Sequence, residues 1–303
     1  MRKSSNLAFS VILMLLCGLA LAQNLYLWED ENGIQHLSDQ RPAEDVDVTI
    51  QHAIAEPESP VRMDNIGRQG QPVWRFANRL DGPVTIEVVA AESFNMISEP
   101  ELPARIEIPA RGVRMVTLAP DDWQLRWEYQ LETVVVPGRL NPELNYEYPY
   151  LVPLAADQAV RIGQGFYGTF SHQTVDSQYA IDFALPVGTA VHAARAGVVM
   201  DLARYFHQSG DDLNRFGPRA NYIRILHDDG SMAIYAHLDY DGILVRPGQQ
   251  VARGQKIGLS GNTGFSTGPH LHFAVQINQN MQLQSVPFQM YSHNAELIPE
   301  ISI

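Results

Sequence analysis

Four side chains in the second half of the chain have the types and spacing needed for metal or proton chemistry. His270 and His272 form a His-x-His pair. Residues i and i+2 of a strand point to the same face, so both imidazoles should project together. They could both face one metal ion, or one could bind metal while the other handles protons. A solvent-exposed strand carrying two histidines is the simpler alternative.

Two further groups favour chemistry over a merely exposed strand. His237 ends a predicted strand and offers a third imidazole, and Asp182 places a carboxylate in an otherwise apolar strand. An unpaired buried charge is costly, so Asp182 requires a partner, and a metal ion would supply one. No His-Glu-x-x-His sequence occurs, so the pattern does not predict a glutamate base.

Short strands must position these groups, because helical periodicity is scarce along the whole chain. From about residue 148 onward, apolar runs alternate with glycine-containing turns, which predicts a β-sheet domain. Glycines at 261, 264 and 268 precede the His-x-His pair and allow the backbone to approach an extended substrate. Residues 201–220 are polar and are predicted to form a surface loop inserted between two strands, one wall of a substrate cleft.

Two smaller regions precede this domain. Residues 70–140 contain short alternating runs separated by turns, which predicts a small accessory β-sandwich without catalytic groups. Residues 23–60 are predicted to form a hairpin module, with its turn at Asn32-Gly33, followed by a linker. The sequence around that turn resembles a small module found in many exported bacterial proteins. The fold class is therefore predicted to be all-β.

The N-terminus indicates export. Arg2 and Lys3 precede an apolar run at 7–21, and small residues end the segment at Ala22, which predicts a signal peptide over residues 1–22. A retained membrane anchor is the alternative, although the run is shorter than the roughly 20 apolar residues of a spanning helix. Cleavage near Ala22 would leave a periplasmic protein without a stable membrane span.

Composition limits the partners and the ligands. The 303 residues carry a formal net charge of −13, which disfavours nucleic-acid binding. The only cysteine, Cys17, lies in the predicted signal, so any metal site of the mature chain must use His, Asp and Glu.

Residues 148–287 resemble the lysostaphin/LytM-type zinc endopeptidases that cut cell-wall peptides. The resemblance rests on Tyr179-Ala180-Ile181-Asp182-Phe183 and on the run from Gly261 to Phe273. Seven further segments occur in the family order: 163–166, 171–172, 186–191, 196–199, 227–230, 235–238 and 251–258. The resemblance implies a β-sheet or sandwich domain of the duplicated-hybrid-motif type over residues 148–290.

The resemblance also implies the roles of individual residues. Its zinc ligands are a His, an Asp a few residues later, and the second His of His-x-His, which gives Asp182 and His272. The family commonly has the first His four positions before the Asp, where this chain has Gln178. The nearest upstream histidine is His172, and we assign that ligand to it. The proton chemistry is assigned to His237 and His270, in either order. A structural or cleft-lining role is expected for His227.

The predicted function is an exported endopeptidase that uses one Zn²⁺ ion to hydrolyse peptide crosslinks of peptidoglycan. The alternative is a catalytically inactive relative that binds cell wall or regulates another wall hydrolase. The partner is expected to be the peptide portion of peptidoglycan, and an envelope protein could act as a regulator.

Overall fold

A computed structural model of the chain describes residues 24–30, 34–38, 46–52, 58–68 and 70–298. Strands dominate these ranges, which confirms the predicted all-β class. No helix within them has the length and apolarity needed to cross a bilayer. The predicted signal peptide and the Asn32-Gly33 turn lie outside the described residues. Two compact units are present, residues 1–56 and residues 57–303.

The first unit contains a small antiparallel sheet. Its strands are β1 (Asn24–Glu29), β2 (Gln35–Ser38) and β3 (Thr49–His52), in the order β2-β1-β3. β1 and β2 pair antiparallel, as the alternating runs predict, while β3 adds a strand that the sequence pattern did not indicate. The Trp28 ring stacks on His36 at a centroid distance of 5.1 Å, so the hairpin carries one aromatic contact of its own.

The second unit begins with two facing sheets. Their strands are β4 (Val61–Asn65), β5 (Val73–Asn78), β6 (Val84–Phe94), β7 (Met96–Glu99), β8 (Ala104–Ile108), β9 (Val113–Pro120) and β10 (Glu128–Pro137). One sheet has the order β4-β5-β9-β7 and the other β10-β6-β8. Alternate residues of both sheets fill an apolar core that includes Phe76, Ile86, Ile108 and Leu118. We refer to residues 57–137 as the sandwich region.

The sandwich region shares its core with the rest of the unit. Met200 and Met232, which belong to the C-terminal region, are fully buried among the apolar residues of the sandwich. The backbone N–H of Asp81 donates to the carbonyl of Met200 at 2.9 Å. A Cβ at Gly138 would lie 2.9 Å from Cε of Met232, so a glycine there leaves room for the methionine.

The C-terminal region follows with fifteen strands and one helix among the described residues. They are β11 (Pro149–Leu151), β12 (Ile162–Gln164), β13 (Ala180–Ala184), β14 (Ala190–His192), β15 (Gly197–Ala203), β16 (Ser209–Gly210), α1 (Leu213–Phe216), β17 (Tyr222–Leu226), β18 (Met232–Ala236), β19 (Leu238–Ile243), β20 (Gln250–Val251), β21 (Lys256–Ser260), β22 (Gly264–Phe265), β23 (His270–Gln279), β24 (Gln282–Val286) and β25 (Gln289–Tyr291).

An eight-stranded sheet organises this region, in the order β12-β13-β23-β18-β17-β15-β20, with β24 added beside β23. A second sheet, β14-β21-β19, contributes Val191, Leu238 and Ile257 to the same core. The core side of the large sheet is completely buried, and its side chains include Ile181, Phe183, Tyr235, Leu271 and Phe273. The alternate residues of β13, β18 and β23 therefore point to the opposite face.

The inserted segment 201–220 is more ordered than its polar sequence indicates. β15 extends into it, β16 pairs in parallel with β22, and α1 begins after Asp212, whose carboxylate accepts from two N–H groups of the first turn. Gly264 has φ of +80°, and a Cβ there would lie 2.6 Å from that of Ala220. The glycine thus permits the close approach that fixes the insertion against the loop before the His-x-His pair.

Candidate metal centre

Asp182 and His272 are brought together by strand register. They are directly opposite each other on the antiparallel strands β13 and β23, so their side chains share the face away from the core. Nδ1 of His272 lies 2.9 Å from Oδ1 of Asp182. Ala236 of β18 is opposite His272 on its other side, and this small residue leaves the space above the sheet open.

His172 reaches the same carboxylate from a turn rather than a strand. Its Nε2 lies 3.1 Å from Oδ1 of Asp182, and its side chain is completely buried. Nδ1 of His172 is 2.7 Å from the carbonyl of Gly165. A carbonyl can only accept a hydrogen bond, so Nδ1 carries the proton and Nε2 keeps its lone pair for a ligand.

The donor atoms of His172, Asp182 and His272 lie within 4.8 Å of one another, and they form a candidate metal site. Burial alone would raise the pKa of Asp182, but its close contacts with the imidazoles of His172 and His272 outweigh burial and hold the pKa well below its usual range. The carboxylate is therefore ionised. Two imidazoles and one carboxylate form a donor set that zinc takes in catalytic sites, where the fourth position stays open.

His237 stands beside these donors in a strained conformation. It connects β18 to β19 with φ of 61°, a region that non-glycine residues seldom occupy. Its Nδ1 donates to the carbonyl of Thr263 at 2.6 Å, which leaves Nε2 with a lone pair. Burial, reinforced by the nearby imidazoles of His270 and His272, lowers the pKa of His237 to about 3. The ring is thus neutral at pH 7.

His270 is the second imidazole that can move protons. Its Nδ1 lies 2.8 Å from the carbonyl of Gly268, so this ring also keeps its lone pair on Nε2. Burial lowers the pKa of His270, and its Nε2 is 3.9 Å from Oδ1 of Asp182. The ring centroids of His237 and His270 are 4.5 Å apart. The glycine-containing loop therefore orients both imidazoles through its backbone carbonyls.

All five site residues predicted from the sequence converge in one place. Four of them, Asp182, His237, His270 and His272, line a cleft of about 530 Å³, and His172 lies beneath it. The insertion forms part of the wall through Leu213, Gly217, Pro218 and Ala220. His227 does not line this cleft. It is buried, with its Nδ1 2.8 Å from the carbonyl of Ala196, which agrees with a structural role.

Two features of the cleft were not identified from the sequence. The amide Nε2 of Gln164 donates to Oδ2 of Asp182 at 3.1 Å. The Phe170 and Phe265 rings, which both line the cleft, lie nearly parallel with centroids 6.0 Å apart. A glutamine on a short strand has no periodic or motif signal. Its placement in a segment shared with the zinc endopeptidases was the only available indication.

Comparisons with known proteins indicate one family for this part of the chain. Residues 176–284 match the model of Peptidase family M23. The peptidoglycan DD-endopeptidase ShyA of Vibrio cholerae is 47% identical over 93 residues, which are 30% of this chain and 18% of ShyA. An uncharacterised metalloprotease of Buchnera aphidicola is 42% identical over 101 residues, 33% of this chain and 23% of that protein. The matched region thus spans less than a quarter of these relatives' own length.

Among solved structures, the catalytic domain of lysostaphin from Staphylococcus simulans is 29% identical, with a TM-score of 0.31, covering 42% of this chain and 88% of that domain. The family match includes Asp182, His237, His270 and His272, and it begins four positions after His172. On the strength of the family match, residues 176–284 are identified as a domain of Peptidase family M23.

Proposed function

We propose that residues 148–290 form a zinc-dependent endopeptidase domain that hydrolyses peptide crosslinks of peptidoglycan, with His172, Asp182 and His272 holding one Zn²⁺ ion. The observation that carries the proposal is the convergence of these three donors with two further imidazoles in one cleft. The names of ShyA and of the Buchnera metalloprotease support the substrate and the use of a metal.

The two imidazoles are suited to proton transfer. When bound, zinc polarises a carbonyl and lowers the pKa of water to about 7. His237 and His270 each have Nδ1 fixed to a carbonyl, so each presents an Nε2 lone pair that can accept a proton from the attacking water. Once protonated, the same nitrogen can donate to the oxyanion or to the leaving amine.

The cleft fits an extended peptide. Apolar rings of Phe170 and Phe265 lie on one wall, and Leu213 of the insertion lines another part, with 58% of the residue exposed. No lysine or arginine is among the described residues that line the cleft, whereas Asp176 and Asp182 are. A bound Zn²⁺ ion would offset the charge of Asp182, so apart from the metal the cleft offers no cation that would favour a strongly anionic segment.

The site of action that fits this substrate is the cell envelope. We place the protein in the periplasm after cleavage near Ala22, on the strength of the charged start and the apolar run of the N-terminus. An envelope protein that regulates the peptidase would be consistent with that location.

Digestion of purified peptidoglycan tests the proposal. Protein comprising residues 23–303 and loaded with one equivalent of zinc should release new amines and uncrosslinked muropeptides, and a chelator should stop the release. His237→Ala should retain zinc but slow turnover by about 10²- to 10⁴-fold, because it removes a proton-transfer group. Zinc-loaded protein that binds peptidoglycan without cleaving it would overturn the proposal in favour of a non-catalytic wall-binding role.

A further inference from the structure

The side chain of Gln164 connects the two segments that carry the candidate metal donors. Gln164 ends β12 and pairs with Asp182 of β13. Its Nε2 donates to Oδ2 of Asp182 at 3.1 Å and to Oγ of Ser171 at 2.7 Å. Its Oε1 accepts from the backbone N–H of Phe170 at 2.9 Å and of Ser171 at 3.4 Å. One amide thus links the strand of Asp182 to the turn that leads into His172.

The two oxygens of Asp182 have different neighbours. Oδ1 is within 3.1 Å of Nε2 of His172 and 2.9 Å of Nδ1 of His272. Oδ2 accepts from Gln164 instead. Because a carboxylate rotates about its last bond, a donor fixed on one oxygen determines where the other points. Gln164 therefore keeps Oδ1 on the side where the imidazole donors converge.

The path of the chain before Asp182 makes such a constraint necessary. His172 lies ten positions before Asp182, on a turn rather than on the same strand. The residue four positions before Asp182, Gln178, bonds through its backbone: its carbonyl accepts from the N–H of Tyr167, and its N–H donates to the carbonyl of Thr174. The contacts of Gln164 with Phe170 and Ser171 fix the residues immediately before His172. The imidazole is therefore held in a defined position although ten positions separate His172 from Asp182.

The side chain of Gln164 packs so closely against Gly168 that it leaves no room for a Cβ there. A Cβ at Gly168 would lie 2.0 Å from Cγ, 2.4 Å from Cδ and 2.7 Å from Oε1 of Gln164. The φ of Gly168 is not in the left-handed region, so the nearest obstacles to an alanine there are atoms of the Gln164 side chain and not backbone strain. The glycine is therefore required by the space that the Gln164 side chain occupies.

We propose that Gln164 is a positioning residue that orients the Asp182 carboxylate and the His172 turn for the metal ion. The inference rests on the proposed zinc centre and adds a residue to it. Groups that hold metal ligands from outside typically change metal affinity by about 10- to 100-fold when they are removed. We expect an effect of that size on zinc binding, independent of whether turnover is measured.

Gln164→Glu is the most selective test. It keeps an oxygen to accept from Phe170 and Ser171, but it replaces the N–H donor that faces Oδ2 of Asp182. The Kd for zinc, measured by competition with a chelator, should rise about 10- to 100-fold, and the visible spectrum of the cobalt-substituted protein should change. Gln173→Glu is the matched control, because Gln173 is exposed in the same turn and bonds only the carbonyl of Thr169.

A double-mutant cycle covers the case in which Gln164→Glu folds poorly. Gly168→Ala should weaken zinc binding by displacing the intact glutamine, whereas in a Gln164→Ala background it should change the Kd by less than about threefold. Additive effects, or a Gln164→Glu protein that binds zinc as the wild type does, would overturn the inference. A wild-type protein that binds no zinc would instead contradict the proposed function.

Discussion

The sandwich region and the C-terminal region are both built from packed antiparallel strands, but they bury different polar groups. Among the described residues, the sandwich region buries Asn78 and Thr85, both of which bond to backbone groups. The C-terminal region buries titratable groups, and these include His172, Asp182, Arg195, Arg224, His227 and His237. Burying a charge or a titratable ring costs stability unless it is paired. The contrast teaches that the buried polar groups of the first region serve stability, whereas those of the second include the candidate metal donors as well as structural groups such as His227.

The largest expected effect comes from removing the ionised group at the centre of the C-terminal region. Asp182→Asn should reduce zinc affinity and peptidoglycan cleavage by more than the roughly 100-fold that outer groups cost, because it removes a donor itself. Zinc content and muropeptide release measure this. Thr85→Val in the sandwich region is the control and should leave both unchanged. If Asp182→Asn retained zinc with unchanged affinity, Asp182 would not be a metal donor, and the contrast between the two regions would fail.

Removing a buried amide of the sandwich region should have the opposite effect: it should lower stability and leave zinc affinity unchanged. Nδ2 of Asn78 donates to the carbonyls of Gly82, Ile108 and Pro109, and its Oδ1 accepts from the N–H of Leu80. Asn78→Ala leaves these groups unpaired, so the free energy of unfolding should fall by about 4 kcal/mol.

Urea denaturation measures the loss in Asn78→Ala, and zinc affinity should not change. The exposed Asn145 offers a control, since Asn145→Ala should stay within about 0.5 kcal/mol of the wild type. A loss of zinc affinity in Asn78→Ala would show that the two regions do not divide stability from chemistry.

The smallest effect concerns His227, which is buried in the C-terminal region but lies outside the cleft. Burial lowers its pKa to about 4, and its Nε2 has no hydrogen-bond partner among the residues that the structure describes. As pH falls from 6.5 towards 4, the unfolded chain binds a proton that the folded protein does not, so stability falls with pH. Between pH 7 and pH 5 this group should reduce the free energy of unfolding by about 2 kcal/mol.

A His227→Asn variant tests whether His227 causes this pH dependence. The asparagine amide can still donate to the carbonyl of Ala196, as Nδ1 does now, but it does not titrate. The pH dependence of unfolding, rather than the absolute stability, is the measurement. It should become flatter by the same 2 kcal/mol or so. Equal pH dependence in the two proteins would mean that folding leaves the pKa of His227 unchanged, which would contradict a neutral imidazole held in the interior.

Local periodicity was sufficient to predict the longer apolar strands and the shared face of His270 and His272, because alternation is a property of each strand alone. The pairing of Asp182 with His272 spans 90 positions, and no local pattern encodes it. The resemblance to zinc endopeptidases supplied that pairing. His172 could be assigned only as the nearest upstream histidine, within the Ser171-His172 segment shared with that family, because the turn that presents it has no periodicity.

Local sequence patterns were likewise insufficient to predict the order of the inserted segment and the boundary between the two regions. β16 is two residues long and pairs in parallel with β22, so its order depends on contacts that a polar sequence does not reveal. The sandwich region reads as a separate domain because its strands are consecutive. The methionines that it shares with the C-terminal region occur within strands of that later region, where they look like ordinary core residues.

Because the two regions share the core at Met200 and Met232, the protein should tolerate a break in the backbone between them. Residues 143, 145, 146 and 147 of the segment that joins the two regions are exposed and lie outside any strand, so a protease could cut there. The two pieces would still bury the methionines in a common interior and keep the bond from Asp81 to Met200. A nicked chain would thus behave as a split protein whose halves remain associated, and the metal centre would survive the cut.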